Sequence, residues 1–353
     1  MADHQLLLLP GDGIGPEIVA ATEIVLQACM DRFSLDIRIE QAHIGGAAID
    51  AEGHPYPEST KEKVQQADAV LLGAVGGPSW SDPKLRPEQG LLALRKDMGV
   101  YANLRPVKPW PALAEASPLK SEYLQGVDLL VVRELTGGIY FGEKKRSHNS
   151  ATDVSCYHRH EIERIVRKAF GWARQRRNRV TMVDKANVLE TSRLWREVTQ
   201  HLHQSEFSDV ELEILLVDAA AMHLLSRPAD FDVMVTENMF GDILTDEASM
   251  LAGSLGVLPS ASLGDGARGL YEPIHGSAPD IAGQNRANPI GTVLSLALLM
   301  RHSLKRDDVA AAIEKAVDRV VARGLVTADL KPEKPLGCSE TGQAIADALL
   351  ATD

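Results

Sequence analysis

Short apolar runs alternate along this chain with longer segments of helical period, the pattern of an α/β protein. Runs at Gln5 to Leu9, Ala69 to Gly73, Val127 to Arg133, Val180 to Asp184, Leu212 to Val217 and Val233 to Thr236 predict strands. Pro16 predicts the start of the first helix, because proline suits the first helical position. Ile18, Ala21, Val25, Leu26 and Cys29 then recur on one face. The arginine-rich segment HRHEIERIVRKAFGWARQRRNR has the same period at Ile162, Ile165, Val166, Ala169, Phe170 and Ala173. It reads as an amphipathic helix whose basic residues cover the wet face and complement the dipole at its end, not as a nucleic-acid patch. The opening GDGIGPE lies between a strand and a helix, as a dinucleotide loop would. A G-x-G-x-x-G fingerprint needs glycine where Pro16 stands, so a tight glycine-rich turn is expected instead of a conventional Rossmann site.

Composition narrows the class. A length of 353 residues suggests about two domains. A formal net charge of −12 gives no general reason to approach nucleic acid or an anionic membrane, so an anionic ligand would need local positive charge. Cys29, Cys156 and Cys338 are far apart and without paired spacing; they read as packing residues in a reducing compartment. The apolar run Leu6 to Leu9 ends at Pro10, too short for a signal segment or a membrane span, and a cytoplasmic location is expected.

Two stretches carry candidate chemistry. In TENMFGDILTDEASM, Asp242 and Asp246 stand four residues apart and share one face of a helix. Such a pair destabilises a helix by a few tenths of a kcal/mol, roughly, unless it serves something cationic such as a divalent metal. Taken alone, it also fits two solvated acids. In PEQGLLALRKDMGVYANLRPVK, Glu88, Leu91, Leu92 and Arg95 share another helical face, and Arg105 follows in a loop-like NLRP. Arg133 ends the strand VDLLVVR. Each arginine alone fits a surface or structural role, but three together would bind an anion with two carboxylates, since guanidinium pairs with carboxylate in a planar bidentate fashion.

The ordered segments LRKDMGVYANLRPVK, VVRELTGGIYFGEK, MVDKANVL, FGDILTDEASMLAGSLG and YEPIHGSAPDIAGQNRANP resemble the decarboxylating dehydrogenases of 2-hydroxy acids. That family comprises isopropylmalate, isocitrate, homoisocitrate, and malate or tartrate enzymes, and the resemblance spans essentially the whole chain. It implies a two-domain α/β fold with a large mixed sheet flanked by helices. The first domain would combine residues 1–101 and 255–353, and the second residues 102–254. It implies that Arg95, Arg105 and Arg133 hold the malate carboxylates. Asp242 and Asp246, with Asp218 of the partner subunit, would hold Mg²⁺ or Mn²⁺, hard ions suited by oxygen ligands. Lys185 would be the base for the C2 hydroxyl and Tyr140 the acid for the enol left by loss of CO₂; nearby positive charge favours a neutral, basic lysine.

The resemblance places NAD on the loop YEPIHGSAPDIAGQNRANP, with Glu272 among its cofactor-binding residues, His275, Gly276, Ser277 and Ala278 against the adenosine and Asn288 near the adenine. Asp280 can accept from a ribose 2′-hydroxyl but would repel a 2′-phosphate, which favours NAD over NADP. Within the family, Leu91 and Leu92 suit an isopropyl group worth roughly 2 kcal/mol of burial, where an isocitrate-type enzyme must seat a third carboxylate. Glu88 matches a position beside the nicotinamide, and Val188 one that lines the same pocket from the partner subunit. The expected substrate is therefore 3-isopropylmalate, acted on by a homodimer with a shared active site; a malate, tartrate or homoisocitrate enzyme, or a silent regulatory subunit, is the alternative.

Overall fold

The leucines Leu6 to Leu9 form the middle of a strand, His4–Gly11, and all four are buried. The computed structural model describes residues 3–80 and 85–351. The chain divides into two compact units, one of Met1–Val100, Trp110–Ala116 and Ala252–Asp353, the other of Tyr101–Pro109 and Ser117–Leu251.

In the first unit the strand order is Ile37–Gln41, His4–Gly11, Ala69–Ala74, Gly269–Pro273 and Pro259–Leu263. The first four are parallel and the last pair is antiparallel. Every residue of Ala69–Ala74 is buried, as expected for a parallel strand covered on both faces. The helix Ile290–His302 packs on the Gly269–Pro273 and Pro259–Leu263 strands and is buried almost all round, which explains its apolar composition on every side. Helix Gly15–Phe33 does begin at the predicted turn, with Pro16 in its first turn and Cys29 in the core. It packs against the last helix, Cys338–Leu350, where a Cβ on Gly342 would lie 2.7 Å from the Ala21 carbonyl oxygen; only glycine permits that approach.

The second unit orders its strands Ala102–Val107, Leu129–Glu134, Val233–Thr236, Arg179–Asp184 and Glu211–Leu216. The first pair is antiparallel and the rest are parallel. Helix Arg159–Ala173 buries all six predicted apolar residues, each contributing roughly 1.5–3 kcal/mol for the larger side chains. Its arginines are engaged with acids rather than presented as a basic patch: Arg167 binds Glu163 and Glu206, and the following Arg174 binds Asp209. A small ribbon, Lys144–Arg146 with Ala151–Asp153, is wholly exposed. Among the described residues no helix is long and apolar enough to cross a membrane.

Three local expectations are corrected, among them that Cys156 is a packing residue. Arg105 lies in the strand Ala102–Val107, not in a loop, because Asn103 and Arg105 find buried polar partners that a sequence pattern cannot show. Val217 opens the helix Val217–Ser226 and does not end a strand. Cys156 is exposed, whereas Cys29 and Cys338 are buried and all three are free thiols.

Candidate functional site

The parallel register of the second unit sets its functional groups at one level. Thr236 is the Cα partner of both Arg133 and Val183, and Val183 is the partner of Leu215. The chain therefore leaves these strands at their carboxyl ends together, where open α/β sheets present ligand-binding groups. Arg133, Lys185, Asp218 and the helix Asn238–Ala252 all stand at or just past those ends.

Asp242 gathers the cluster. It accepts from Arg133 Nη1 and from the Tyr140 hydroxyl at 2.9 Å, and Arg105 lies 3.7 Å away. Both arginines are nearly buried and held by uncharged groups as well. Arg133 donates twice to Asn238 Oδ1, at 3.1 and 2.8 Å, while Arg105 donates to Asn103 Oδ1 at 2.6 Å and Thr245 Oγ1 at 2.5 Å. The Arg133 stem lies directly on Gly241, whose added Cβ would sit 2.7 Å from Arg133 Cγ. Burial and the Asp242 carboxylate push the Tyr140 phenol up to about 12, so its proton stays on at neutral pH.

One turn further, Asp246 has no side-chain hydrogen bond or ion pair within the described residues. Partial desolvation and the charge of Asp242 raise it above the ordinary aspartate range. An unspent carboxylate strained by its neighbour suits a hard divalent cation. Among the described residues, however, no three His, Cys, Asp or Glu side chains group closely enough to hold one. Asp218 stands apart from this pair: it forms an ion pair with Lys185, whose hydrogen bond holds it below the usual aspartate range. Lys185 itself is placed by its amide, which donates to Ser192 Oγ at 3.0 Å, and by Asp184, which takes two bonds from Arg196. Val188, three residues on, is 63% exposed and so available to another molecule.

The first unit holds the other candidates. Helix Pro87–Asp97 buries Pro87, Gly90 and Leu94; Leu91 and Leu92 are half-buried, Arg95 is more deeply covered, and Glu88 is exposed. Arg95 pairs with Glu272 at 2.8 Å in a nearly buried contact, so the carboxylate of Glu272 is committed to that arginine. In the loop that follows, the His275 ring contacts the Gly276 carbonyl at 2.9 Å through Nδ1, while its buried Nε2 has no partner among the described residues. Burial pushes the His275 pKa down and favours the neutral ring. Ser277 is buried and accepts the Ile14 amide at 2.8 Å. Ala278 has φ +37°, and Gly276 and Asp280 are exposed. Asn288 is satisfied within the chain, donating to Asp329 at 3.0 Å and accepting from the Ile290 amide at 3.0 Å.

Three supporting residues escaped the sequence reading. Asp12 accepts the amides of Gly46, Ala47 and Gly76 at 2.9, 2.7 and 2.8 Å, tying the GDGIGPE turn to two other loops. Desolvation raises its pKa even though those bonds pull it down. Glu134, fully buried, accepts from the Thr136 and Gly137 amides at 2.9 and 2.8 Å, just before Tyr140. Asn238 is the third. An acid inside the GDGI turn, and an acid directly after Arg133, were the only available signals for the first two.

Comparison with known proteins extends over nearly the whole chain. The profile of the isocitrate/isopropylmalate dehydrogenase family matches residues 5–345. The 3-isopropylmalate dehydrogenase of Rhodopirellula baltica is 54% identical, covering 98% of this chain and 99% of that one. That of Priestia megaterium is 56% identical over 99% of this chain and 96% of its own. Among solved structures, an isocitrate dehydrogenase from Methylococcus capsulatus superposes with a TM-score of 0.89 at 33% identity, covering 99% of this chain and all of that one.

Proposed function

This chain belongs to the isocitrate/isopropylmalate dehydrogenase family, and we propose that it catalyses the NAD-dependent oxidative decarboxylation of (2R,3S)-3-isopropylmalate to 4-methyl-2-oxopentanoate and CO₂, a step of leucine biosynthesis. The observation that carries this reading is the convergence of Arg133, Arg105 and Tyr140 on Asp242, with the unspent Asp246 beside it. Two guanidinium groups against two carboxylates leave this cluster close to neutral. A divalent cation added there would bring it to a charge that matches a substrate with two carboxylates.

Each of the chain's own groups then has a task. Arg95, Arg105 and Arg133 hold the carboxylates. The cation, Mg²⁺ or Mn²⁺, supplies positive charge for the C2 oxygen, and NAD supplies the hydride acceptor. Asp242 and Asp246 would be the cation's ligands from one chain. Lys185 takes the proton of the C2 hydroxyl as C2 becomes a ketone, β to the carboxylate that departs as CO₂. Tyr140, held protonated, delivers a proton to C3. Leu91 and Leu92 would face the isopropyl group and Glu88 would stand beside the nicotinamide, while Glu272 orients Arg95 through its ion pair. Glu272, His275, Gly276, Ser277 and Ala278 would line the adenosine side of the NAD site, with Asn288 near the adenine. The exposed carboxylate of Asp280 favours a free ribose 2′-hydroxyl and hence NAD.

The ligand set is short by one in a single chain, and Asp218 of the partner subunit completes it in a homodimer. Val188, Met222, Leu225 and Ile243 are exposed apolar side chains of the second unit, and the gain from burying them against another chain supports such an interface. Because Lys185 is paired with Asp218, the two would arrive together. Three free cysteines suit the cytoplasm. The test is direct: with NAD and Mn²⁺, 3-isopropylmalate should give equimolar NADH and CO₂, and a chelator should stop both. NADH without CO₂, or neither, contradicts the proposal.

A further inference from the structure

We propose that Asn238 is a positioning residue that sets the substrate arginine Arg133 and the turn carrying Tyr140 in register with the carboxylate helix. This rests on the roles proposed above for Arg133 and Tyr140. Asn238 opens the helix Asn238–Ala252 and is 1% exposed, with no route to solvent for its amide. Its Oδ1 takes both Nε and Nη2 of Arg133, at 3.1 and 2.8 Å. Its Nδ2 donates to the Gly137 carbonyl at 3.2 Å, three residues before Tyr140. Its own backbone amide donates to the Tyr157 hydroxyl at 3.0 Å.

The chemistry of the two sides selects an amide. A guanidinium can only donate and a peptide carbonyl can only accept, so the bridging side chain must offer an acceptor to one and a donor to the other. A carboxylate satisfies the arginine and opposes the carbonyl; an aliphatic chain satisfies neither.

The turn that Asn238 grips is built on two adjacent glycines. Its backbone runs through Gly137 and Gly138; a Cβ on Gly137 would meet the Tyr157 ring at 2.5 Å and one on Gly138 the Tyr157 hydroxyl at 2.5 Å, so Tyr157 fills the space beneath it. The Gly138 amide donates to the Cys156 carbonyl at 3.0 Å. Glu134 holds the Thr136 and Gly137 amides. None of these reaches the Arg133 guanidinium; the side chain of Asn238 does so at Gly137, as Asp242 does at the Tyr140 end, and both stand on the same helix. The Tyr140 hydroxyl reaches Asp242 from the far end of the turn, so an error in Gly137 is carried to the proton donor.

The test uses the full-length enzyme and a double-mutant cycle of Asn238→Asp with Tyr140→Phe. Asn238→Asp keeps the acceptor for Arg133, so KM for 3-isopropylmalate should stay within about threefold, while kcat falls about tenfold or more as the Tyr140 turn is displaced. In the Tyr140→Phe background the same change should cost little further kcat, because the group it positions is gone. Equal kcat losses in both backgrounds, or a lowered melting temperature with kcat unchanged, overturn the proposal. If Asn238→Asp folds poorly, Asn238→Ser serves as the second variant. It is expected to raise KM and lower kcat together, and wild-type values for both would equally overturn the proposal. Tyr140→Phe retaining full kcat would instead refute the role given to Tyr140, a failure distinguishable from that of Asn238.

Discussion

Gly241→Ala tests the arrangement around Arg133 with a single methyl group. The added Cβ would stand 2.7 Å from Arg133 Cγ and 2.9 Å from its Cβ. Carbon atoms prefer separations of about 3.5–4.0 Å, so about 0.8 Å must be found by moving the arginine or the helix. Arg133 has little freedom, because Asn238 and Asp242 hold its guanidinium and the side chain is 4% exposed. A shift of that size exceeds the roughly 0.5 Å within which a functional group must be held. Losing one hydrogen bond to a charged group costs about 1.5–3 kcal/mol, which corresponds to roughly a ten- to hundredfold loss in kcat/KM. Stability should change less, since overpacking costs about 1–3 kcal/mol while alanine gains about 1 kcal/mol over glycine inside a helix. The assay is steady-state kinetics with 3-isopropylmalate at saturating NAD and Mn²⁺, beside thermal unfolding. KM and kcat both within twofold of wild type would refute the reasoning.

Other consequences can be checked alongside. Asp12→Ala orphans three backbone amides and should lower unfolding free energy in urea by about 3 kcal/mol or more, at about 1–3 kcal/mol per unmet donor; a loss below about 1 kcal/mol would mean that water replaces the carboxylate. His275 has a depressed pKa, so the unfolded chain binds its proton more readily; the stability this residue contributes is present above about pH 6.5 and is lost progressively as pH falls from there towards the lower folded-state value. His275→Gln should therefore narrow the difference in melting temperature between pH 7.5 and pH 5.5, both values being about one unit from the ordinary histidine pKa, and an unchanged difference speaks against a buried neutral ring. Lys185→Ala and Asp246→Ala chains, each inactive alone, should regain partial activity once mixed and allowed to exchange. No recovery, with exchange shown independently, argues against a site shared between subunits.

Where burial is uniform, the strands could be read from the sequence. Ala69–Ala74 and Val233–Thr236 are buried throughout and almost wholly apolar because both faces are covered. Ala102–Val107 was not readable, since Asn103, Arg105 and Pro106 resemble a loop until Thr245 supplies a partner from far along the chain. Pro259–Leu263 and Gly269–Pro273 were hidden for a related reason: small polar residues and Gly or Pro at their ends mask buried strands. In the candidate site, the pairing of Asp242 with Asp246 follows from helical spacing. Asn238 could not be found that way, because its partners Arg133 and Gly137 lie a hundred residues earlier and an amide before a helix looks like an ordinary helix start.

The most direct test of the central claim is a substrate panel with purified protein, NAD and Mn²⁺, comparing kcat/KM for 3-isopropylmalate, isocitrate, malate and tartrate under matched conditions. Leu91 and Leu92 should make 3-isopropylmalate the best substrate, with an uncompensated carboxylate at the same position penalised by about 2 kcal/mol or more. Faster turnover of isocitrate or malate than of 3-isopropylmalate would contradict the account.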